Sequence, residues 1–74
     1  MLEEIKKIVA NFANISIDQL SEETNFIELG IDSLTLLKIV MDVENVFDVH
    51  FEDEEIVDIR TILDISNIVV KKIS

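Results

Sequence analysis

The pattern of apolar and polar positions predicts a chain built from helices. Three segments carry apolar residues at steps of three and four, the spacing of one helix face. They run from Leu2 to about Ala13, from Ser33 to about Phe47, and from Ile62 towards Ile73. No segment shows clean strand alternation between hairpin turns, although the β-branched run at 65–70 comes nearest to a strand. We therefore expect an all-α fold with three principal helices.

Two polar patterns sharpen this assignment near the C-terminal half. Thr61, followed three residues later by Asp64, resembles a capping box in which Asp replaces the usual Glu or Gln. The acidic run at 52–55 suits the first turn of a short helix from about Asp53 to Val57, because carboxylates favour the positive end of a helix. We expect this short helix to be the fourth.

A long connection, residues 14–32, separates the first two principal helices and is rich in turn-forming residues. A structureless loop of this length is unusual, so we expect it to include a turn of helix around Ile17–Leu20 and to be pinned by its apolar side chains. These side chains are Ile15, Ile17, Leu20, Phe26, Ile27 and Leu29. Core packing is the preferred interpretation of Phe26 and Leu29.

The helix predicted from Ser33 is apolar on two sides. Its core face would consist of Leu36, Ile39, Val40, Val43 and Phe47. Leu34, Leu37 and Met41 lie on another side, with Lys38 among them. Such a helix either is central in the fold or keeps one side for a partner.

The chain's only glycine, Gly30, stands just before this helix, and Ser33 occupies its first turn. Free backbone N–H groups and the helix dipole favour a phosphate at such a position. Asp32 can cap the same N–H groups. We expect a phosphate ester to be carried here; the alternative is that Asp32 and Ser33 only cap the helix.

Size and charge limit the possible functions. Seventy-four residues predict a single domain, 1–74, and the absence of cysteine excludes disulfides and thiolate metal sites. A formal net charge of −10 disfavours nucleic acid and anionic membranes and favours partners with basic patches. Neither a signal peptide nor a membrane span is evident, so we expect a soluble, cytoplasmic monomer.

Catalytic and metal-binding residues are scarce. The only histidine, His50, could join Ser33 in a catalytic arrangement only through folding, and no Gly-x-Ser-x-Gly elbow is present. Consecutive carboxylates at 52–55 lack the spaced ligands of a calcium loop. We therefore expect neither catalysis nor a metal site.

Residues 26–34, Phe-Ile-Glu-Leu-Gly-Ile-Asp-Ser-Leu, resemble the attachment signature of acyl carrier proteins, in which the serine after Asp is esterified with 4′-phosphopantetheine from coenzyme A. The resemblance continues downstream through residues 51–62 and covers nearly the whole chain. It implies a free-standing four-helix carrier bundle with three principal helices, one short helix and a long first loop. It also implies that Ser33 bears the 4′-phosphopantetheine, flanked by Asp32 and Leu34.

The resemblance also implies a function and partners. The arm would hold acyl intermediates as thioesters and present them to acyl-transferring and condensing enzymes of fatty-acid or polyketide-type biosynthesis, after a phosphopantetheinyl transferase has attached it. Partner enzymes of the family read the helix that starts at the modified serine, which favours a partner surface on its outer side. The candidate partner-binding residues are Leu34, Leu37, Lys38, Met41, Asp42 and Glu44.

The sequence departs from the fatty-acid type at two positions. Those carriers usually have acidic residues two and five positions after the serine, where this chain has Thr35 and Lys38. A lysine would repel basic patches on fatty-acid enzymes, so a specialised polyketide, lipid or mixed peptide pathway is an open alternative. Peptidyl and D-alanyl carriers are further alternatives, although peptidyl carriers commonly have His where this chain has Asp32.

Two hypotheses come from other functional classes. An unmodified acidic helical adaptor would bind a partner helix through Leu34, Leu37 and Met41, and a minimal hydrolase would use Ser33 with His50 as its base.

Overall fold

The computed structural model describes all 74 residues and is helical, as predicted. Its helices are α1 (Leu2–Ala13), α2 (Ser33–Phe47), α3 (Asp53–Val57) and α4 (Ile62–Ile73), with a 3-10 turn at Ile17–Gln19. The only β-type pairing is an isolated antiparallel bridge between Asn25 and Thr61. The predicted all-α bundle of three principal helices and one short helix is confirmed. None of the four helices has the length and apolar character needed to cross a membrane.

One hydrophobic core joins the three principal helices, with α1 packed against both α2 and α4. Each helix contributes fully buried side chains at steps of three and four. These are Ile5 and Val9 from α1, Ile39, Val40 and Val43 from α2, and Ile62, Ile65 and Val69 from α4. Leu36 and Phe47, also predicted for the core face of α2, pack against this core but are only partly buried. The outer side of α2 is consequently left outside the core.

Two helices end at left-handed residues that turn the chain away sharply. Asn14 follows α1 with φ 58°, and Asp48 follows α2 with φ 55°. Their N–H groups donate to the carbonyls of Ala10 and Glu44, which satisfies acceptors in the last turn of each helix. Asn and Asp tolerate this conformation better than most residues, so these positions fix where each helix ends.

The long connection between α1 and α2 is pinned largely as predicted. Leu20 and Phe26 are buried, and Ile15, Ile17 and Leu29 pack partly against the core. The prediction for Ile27 is wrong, because its side chain is 73% exposed. The Ile27 N–H donates to Asn25 Oδ1 at 2.8 Å, and this local turn between anchored residues leaves the Ile27 side chain in solvent.

The apolar stripe of α4 does not stay buried as far as Ile73. Ile73 shares a helix face with Val69, but it is 53% exposed whereas Val69 is fully buried. Its turn of helix is the last one, and the core extends no further along this face than Val69.

The segment before α2 is fastened to the start of α4 by backbone hydrogen bonds. The Phe26 N–H donates to the Arg60 carbonyl at 2.9 Å, and the Leu63 N–H donates to the Glu22 carbonyl at 2.8 Å. The Ile62 N–H reaches the Thr24 carbonyl at 3.4 Å. These contacts hold the loop that leads into Ser33 against the segment between α3 and α4.

Candidate functional site

Ser33 is the first residue of α2 and is exposed. Its hydroxyl makes no hydrogen bond within the protein, and the backbone N–H groups of Ser33 and Leu34 have no protein acceptor. Free amides at the start of a 15-residue helix provide hydrogen-bond donors at its positive end. A phosphate ester on the Ser33 hydroxyl fits this environment chemically.

Asp32 caps α2, as predicted from the sequence. Its Oδ1 accepts a hydrogen bond of 2.8 Å from the Thr35 N–H. This bond holds the pKa of Asp32 below its usual range, and the positive charge of Lys38 acts in the same direction more weakly. The Asp32 carboxylate is therefore ionised and fixes the start of the helix without covering Ser33.

Gly30 turns the chain into this helix. Its φ is +75°, a left-handed conformation that strains residues with a side chain. No heavy atom lies within 4 Å of the place where a Cβ would stand, so the glycine is required for its backbone conformation and not for space.

A cleft of about 350 Å³ opens beside Ser33. Its walls come from the loop before α2, the first turn of α2, and the segment from α3 to the start of α4. The lining residues are Phe26, Ile27, Ile31, Asp32, Ser33, Leu36, Ile56, Val57, Ile59 and Arg60. Most of them are apolar, so most of the cleft wall suits an uncharged chain, while Asp32, Ser33 and Arg60 add polar groups. No periodic signal in the sequence pointed to this cleft, because its walls come from segments far apart in the chain.

Arg60 is the polar exception in the cleft lining that sequence analysis did not single out. Its Nη1 donates to the carbonyls of Val57 at 2.8 Å and Ile59 at 3.2 Å, near the end of α3. It is the chain's single arginine, and its guanidinium has no carboxylate within 4 Å, although its backbone N–H donates to Asp64 Oδ2 at 2.8 Å. A lone arginine in a loop carries no sequence signal that would have revealed this position.

The candidate partner-binding residues lie along α2, and most of them face solvent. Leu34 is 62% exposed and Met41 is 55% exposed, with Leu37 and Lys38 also exposed between them, and Asp42 is partly buried. These side chains form a surface with apolar and charged members that the core does not use.

Glu44 differs from the other candidates because its carboxylate is engaged by the loop between α2 and α3. Its Oε2 accepts a hydrogen bond of 2.8 Å from the Phe51 N–H and lies 3.3 Å from Nδ1 of His50. The Nε2 of His50 lies 3.8 Å from Glu52. His50 thus faces two carboxylates, and no hydrogen bond joins it to Ser33, so the Ser33–His50 pair needed for hydrolysis is not assembled.

Comparison with known proteins gives the same picture. The family model described as a phosphopantetheine attachment site matches residues 3–69. The chain belongs to the acyl carrier protein family. It is 35% identical to the acyl carrier protein homolog of Mycoplasmopsis pulmonis, covering 88% of this chain and 89% of that one. It is also 35% identical to the acyl carrier protein of Wolinella succinogenes, covering 88% and 87%.

The fold agrees with that of a solved acyl carrier protein. The crystal structure of the acyl carrier protein from Thermotoga maritima superposes with a TM-score of 0.71 at 39% identity, over 95% of this chain and 91% of that one. As a family member, the chain is a carrier and not an enzyme, and its cofactor is covalently attached 4′-phosphopantetheine. Its family partners are a phosphopantetheinyl transferase and biosynthetic enzymes.

Proposed function

We propose that residues 1–74 form a single carrier domain that holds acyl groups on a 4′-phosphopantetheine arm attached to the hydroxyl of Ser33. The observation that carries the proposal is the state of this hydroxyl: it is exposed and unpartnered, beside free helix amides and an apolar cleft. Because the donor is coenzyme A, the proposed setting is the cytoplasm.

The attachment reaction needs a proton acceptor from the transferase. A bond forms between Ser33 Oγ and the phosphorus of the phosphopantetheine group, the bond from that phosphorus to the remaining nucleotide breaks, and the hydroxyl proton leaves. Asp32 is the adjacent carboxylate, but its hydrogen bond with Thr35 lowers its pKa and makes it a weak base. In this reaction Asp32 positions the helix start, and the free amides of Ser33 and Leu34 would be available as donors to the phosphate.

The chain's own contribution to delivery is to anchor the arm and to dock. The bound group supplies a flexible arm with a terminal thiol, on which an acyl group is held as a thioester. Tethering keeps the acyl group at high effective concentration near each docked enzyme. Leu34, Leu37 and Met41 provide the apolar centre of the proposed docking surface, while Asp32 and Asp42 add charges that attract basic partners.

The proposal includes fatty-acid or polyketide-type biosynthesis as the pathway, and the exposed Lys38 favours a specialised one. Replacing Lys38 with Glu restores the charge that fatty-acid carriers usually have five positions after the serine. We expect Lys38→Glu to increase the association rate with a fatty-acid condensing enzyme that has a basic patch, and Lys7→Glu, with the same charge change on α1, to increase it less. If both substitutions raise the association rate equally in stopped-flow binding at low salt, Lys38 does not belong to the docking surface.

Intact mass spectrometry tests the carrier function directly. The folded chain, shown not to be modified already, is incubated with coenzyme A and a broad-specificity phosphopantetheinyl transferase. We expect the wild type and Ser74→Ala, which lacks another exposed serine, each to gain one phosphopantetheine, and Ser33→Ala to gain none. No gain on the wild type would overturn the proposal and leave the unmodified helical adaptor as the best account. A gain on Ser33→Ala would overturn the assignment of Ser33.

A further inference from the structure

We propose that Arg60 binds the phosphate of the arm on Ser33 and thereby holds the base of the arm at the cleft. This inference rests on the proposed function, since it requires the phosphate to be attached to Ser33. Arg60 and Ser33 line the same cleft of about 350 Å³. That volume lies near the lower end of small-ligand sites, which span about 300–1,000 Å³, so the two residues border one small space.

The guanidinium of Arg60 is held in place and still has donors to offer. Its Nη1 is fixed by the carbonyls of Val57 and Ile59. A guanidinium has five N–H donors on three nitrogens, and neither Nε nor Nη2 of Arg60 has an acceptor within the protein. Backbone contacts thus fix the position of Arg60 without using its remaining donors.

The charge of Arg60 is also unmatched. The chain has sixteen acidic residues, and the Nζ atoms of Lys6 and Lys72 each lie within 4 Å of a glutamate carboxylate, whereas the guanidinium of Arg60 lies within 4 Å of none. Three other lysines, Lys7, Lys38 and Lys71, also lack such a partner, but none of them lines this cleft. Arg60 is therefore the one cation available to an anion at this place.

A phosphodiester matches these donors chemically. It has two unesterified oxygens that share one negative charge, and the planar guanidinium donates to such oxygens in a fork geometry that an ammonium cannot reproduce. An acyl group at the far end of the arm is a less suitable ligand, because a thioester is uncharged. The phosphate, in contrast, is always charged and is next to Ser33 whatever acyl group is carried. A purely structural role for Arg60, closing the end of α3, is the competing explanation.

Phosphorus NMR of the loaded protein separates the two explanations. Wild type, Arg60→Gln, Arg60→Lys and the control Lys7→Gln, which loses the same charge outside the cleft, are loaded and checked by intact mass. The ³¹P signal of the phosphodiester is then recorded as ionic strength rises from about 0.01 M to about 1 M, which shortens the screening length from about 30 Å to about 3 Å. We expect a salt-dependent ³¹P shift in wild type and Lys7→Gln, loss of that shift in Arg60→Gln, and partial retention in Arg60→Lys.

A second measurement needs no substitution. The side-chain N–H signals of Arg60 are compared in wild-type protein before and after loading, and we expect them to move on loading and to return towards their unloaded positions at high salt. If they do not move, or if Arg60→Gln keeps the wild-type salt response of the ³¹P signal, the inference is overturned while the proposed function stands. If neither the wild type nor any variant takes up phosphopantetheine, the inference and the proposed function are both overturned. Intact mass distinguishes this case from the previous one.

Discussion

The helices α2 and α4 begin with the same kind of cap, but they differ in how many of their first backbone N–H groups have a protein partner. Asp32 Oδ1 accepts the Thr35 N–H at 2.8 Å, and Thr61 Oγ1 accepts the Asp64 N–H at 3.2 Å. At α4 the cap is reciprocal, since Asp64 Oδ2 accepts the Thr61 N–H at 3.0 Å.

The remaining amides complete the contrast. At α4 the Ile62 and Leu63 N–H groups donate to carbonyls of the long loop, so every amide of the first turn has a protein partner. At α2 the N–H groups of Asp32, Ser33 and Leu34 have none. Because these N–H groups are exposed to water, the lack of a protein acceptor costs little free energy, whereas the same lack at a buried helix start would be strongly destabilising. One helix start therefore stabilises the fold, and the other leaves donors available to a bound group.

The largest contrast is expected from Ser33→Ala. It should abolish loading completely while changing the free energy of unfolding by no more than about 0.5 kcal/mol, because an exposed hydroxyl without partners contributes little to stability. Urea unfolding beside the mass assay checks both halves of this expectation. A clear loss of stability would mean that Ser33 also supports the fold.

Thr61→Ala should have the opposite profile. Losing the cap of α4 is expected to cost about 1–2 kcal/mol in urea unfolding while the folded fraction still takes up phosphopantetheine. Asp64→Ala and the double variant complete a thermodynamic cycle. Since the two side chains act in one reciprocal cap, we expect the double variant to lose less free energy of unfolding than the sum of the single losses. If the two losses simply add, Thr61 and Asp64 do not stabilise the helix start as a pair.

The start of α2 can be given the arrangement found at α4. Thr35 occupies the third position of the helix, from which a longer polar side chain can reach back to the free Asp32 N–H. We expect Thr35→Glu to stabilise the protein by about 0.3–1 kcal/mol and Thr35→Gln by somewhat less, because Gln lacks the favourable interaction with the helix dipole. Unchanged urea midpoints for both variants would show that the open start costs no stability.

The smallest effect concerns acid. Hydrogen bonds lower the pKa of Asp32 below 3.8, chiefly through the Thr35 N–H, and that of Glu55 below 4.5, through the Glu52 N–H and Lys72. The unfolded chain therefore binds protons at higher pH than the folded one, so this stability is fully present above the ordinary carboxyl values and is lost as pH falls through the lower folded values. Asn caps helices as well as Asp, so Asp32→Asn should match wild type at pH 7 and lose less stability in acid. If the free energies of unfolding of wild type and Asp32→Asn, measured in urea, fall in parallel across this pH range, Asp32 does not contribute to the loss of stability in acid.

The parts of the molecule that are encoded locally could be predicted from the sequence. The spans of the three principal helices follow from apolar spacing, and that of α3 follows from the acidic run at its start. The caps at Asp32 and Thr61 follow from side chains within one helical turn. The side chain of Ile27 was wrongly assigned to the interior, and the apolar spacing of α4 did not show that the core stops before Ile73. Hydrophobicity alone does not show that a turn points one side chain outward or that a helix extends beyond the core.

In the candidate site, too, the features encoded locally could be predicted and those that depend on distant segments could not. Asp32 and Ser33 are neighbours on one helix start and were predicted from their order in the chain. The cleft and Arg60 depend on packing between the long loop and the segment after α3, for which no pattern within either segment exists. The engagement of Glu44 by the Phe51 N–H was missed for the same reason, because it joins the body of α2 to the loop beyond its end.

The bridge between Asn25 and Thr61 has a consequence for the order of folding. Closing a chain segment between distant residues carries an entropic cost that grows with its length, so such contacts tend to form after local helices. The Phe26 N–H, bonded to the Arg60 carbonyl, should thus gain protection in pulsed hydrogen exchange later than amides in the middle of α1. The cleft beside Ser33 is therefore complete only after segments distant in the chain have come together.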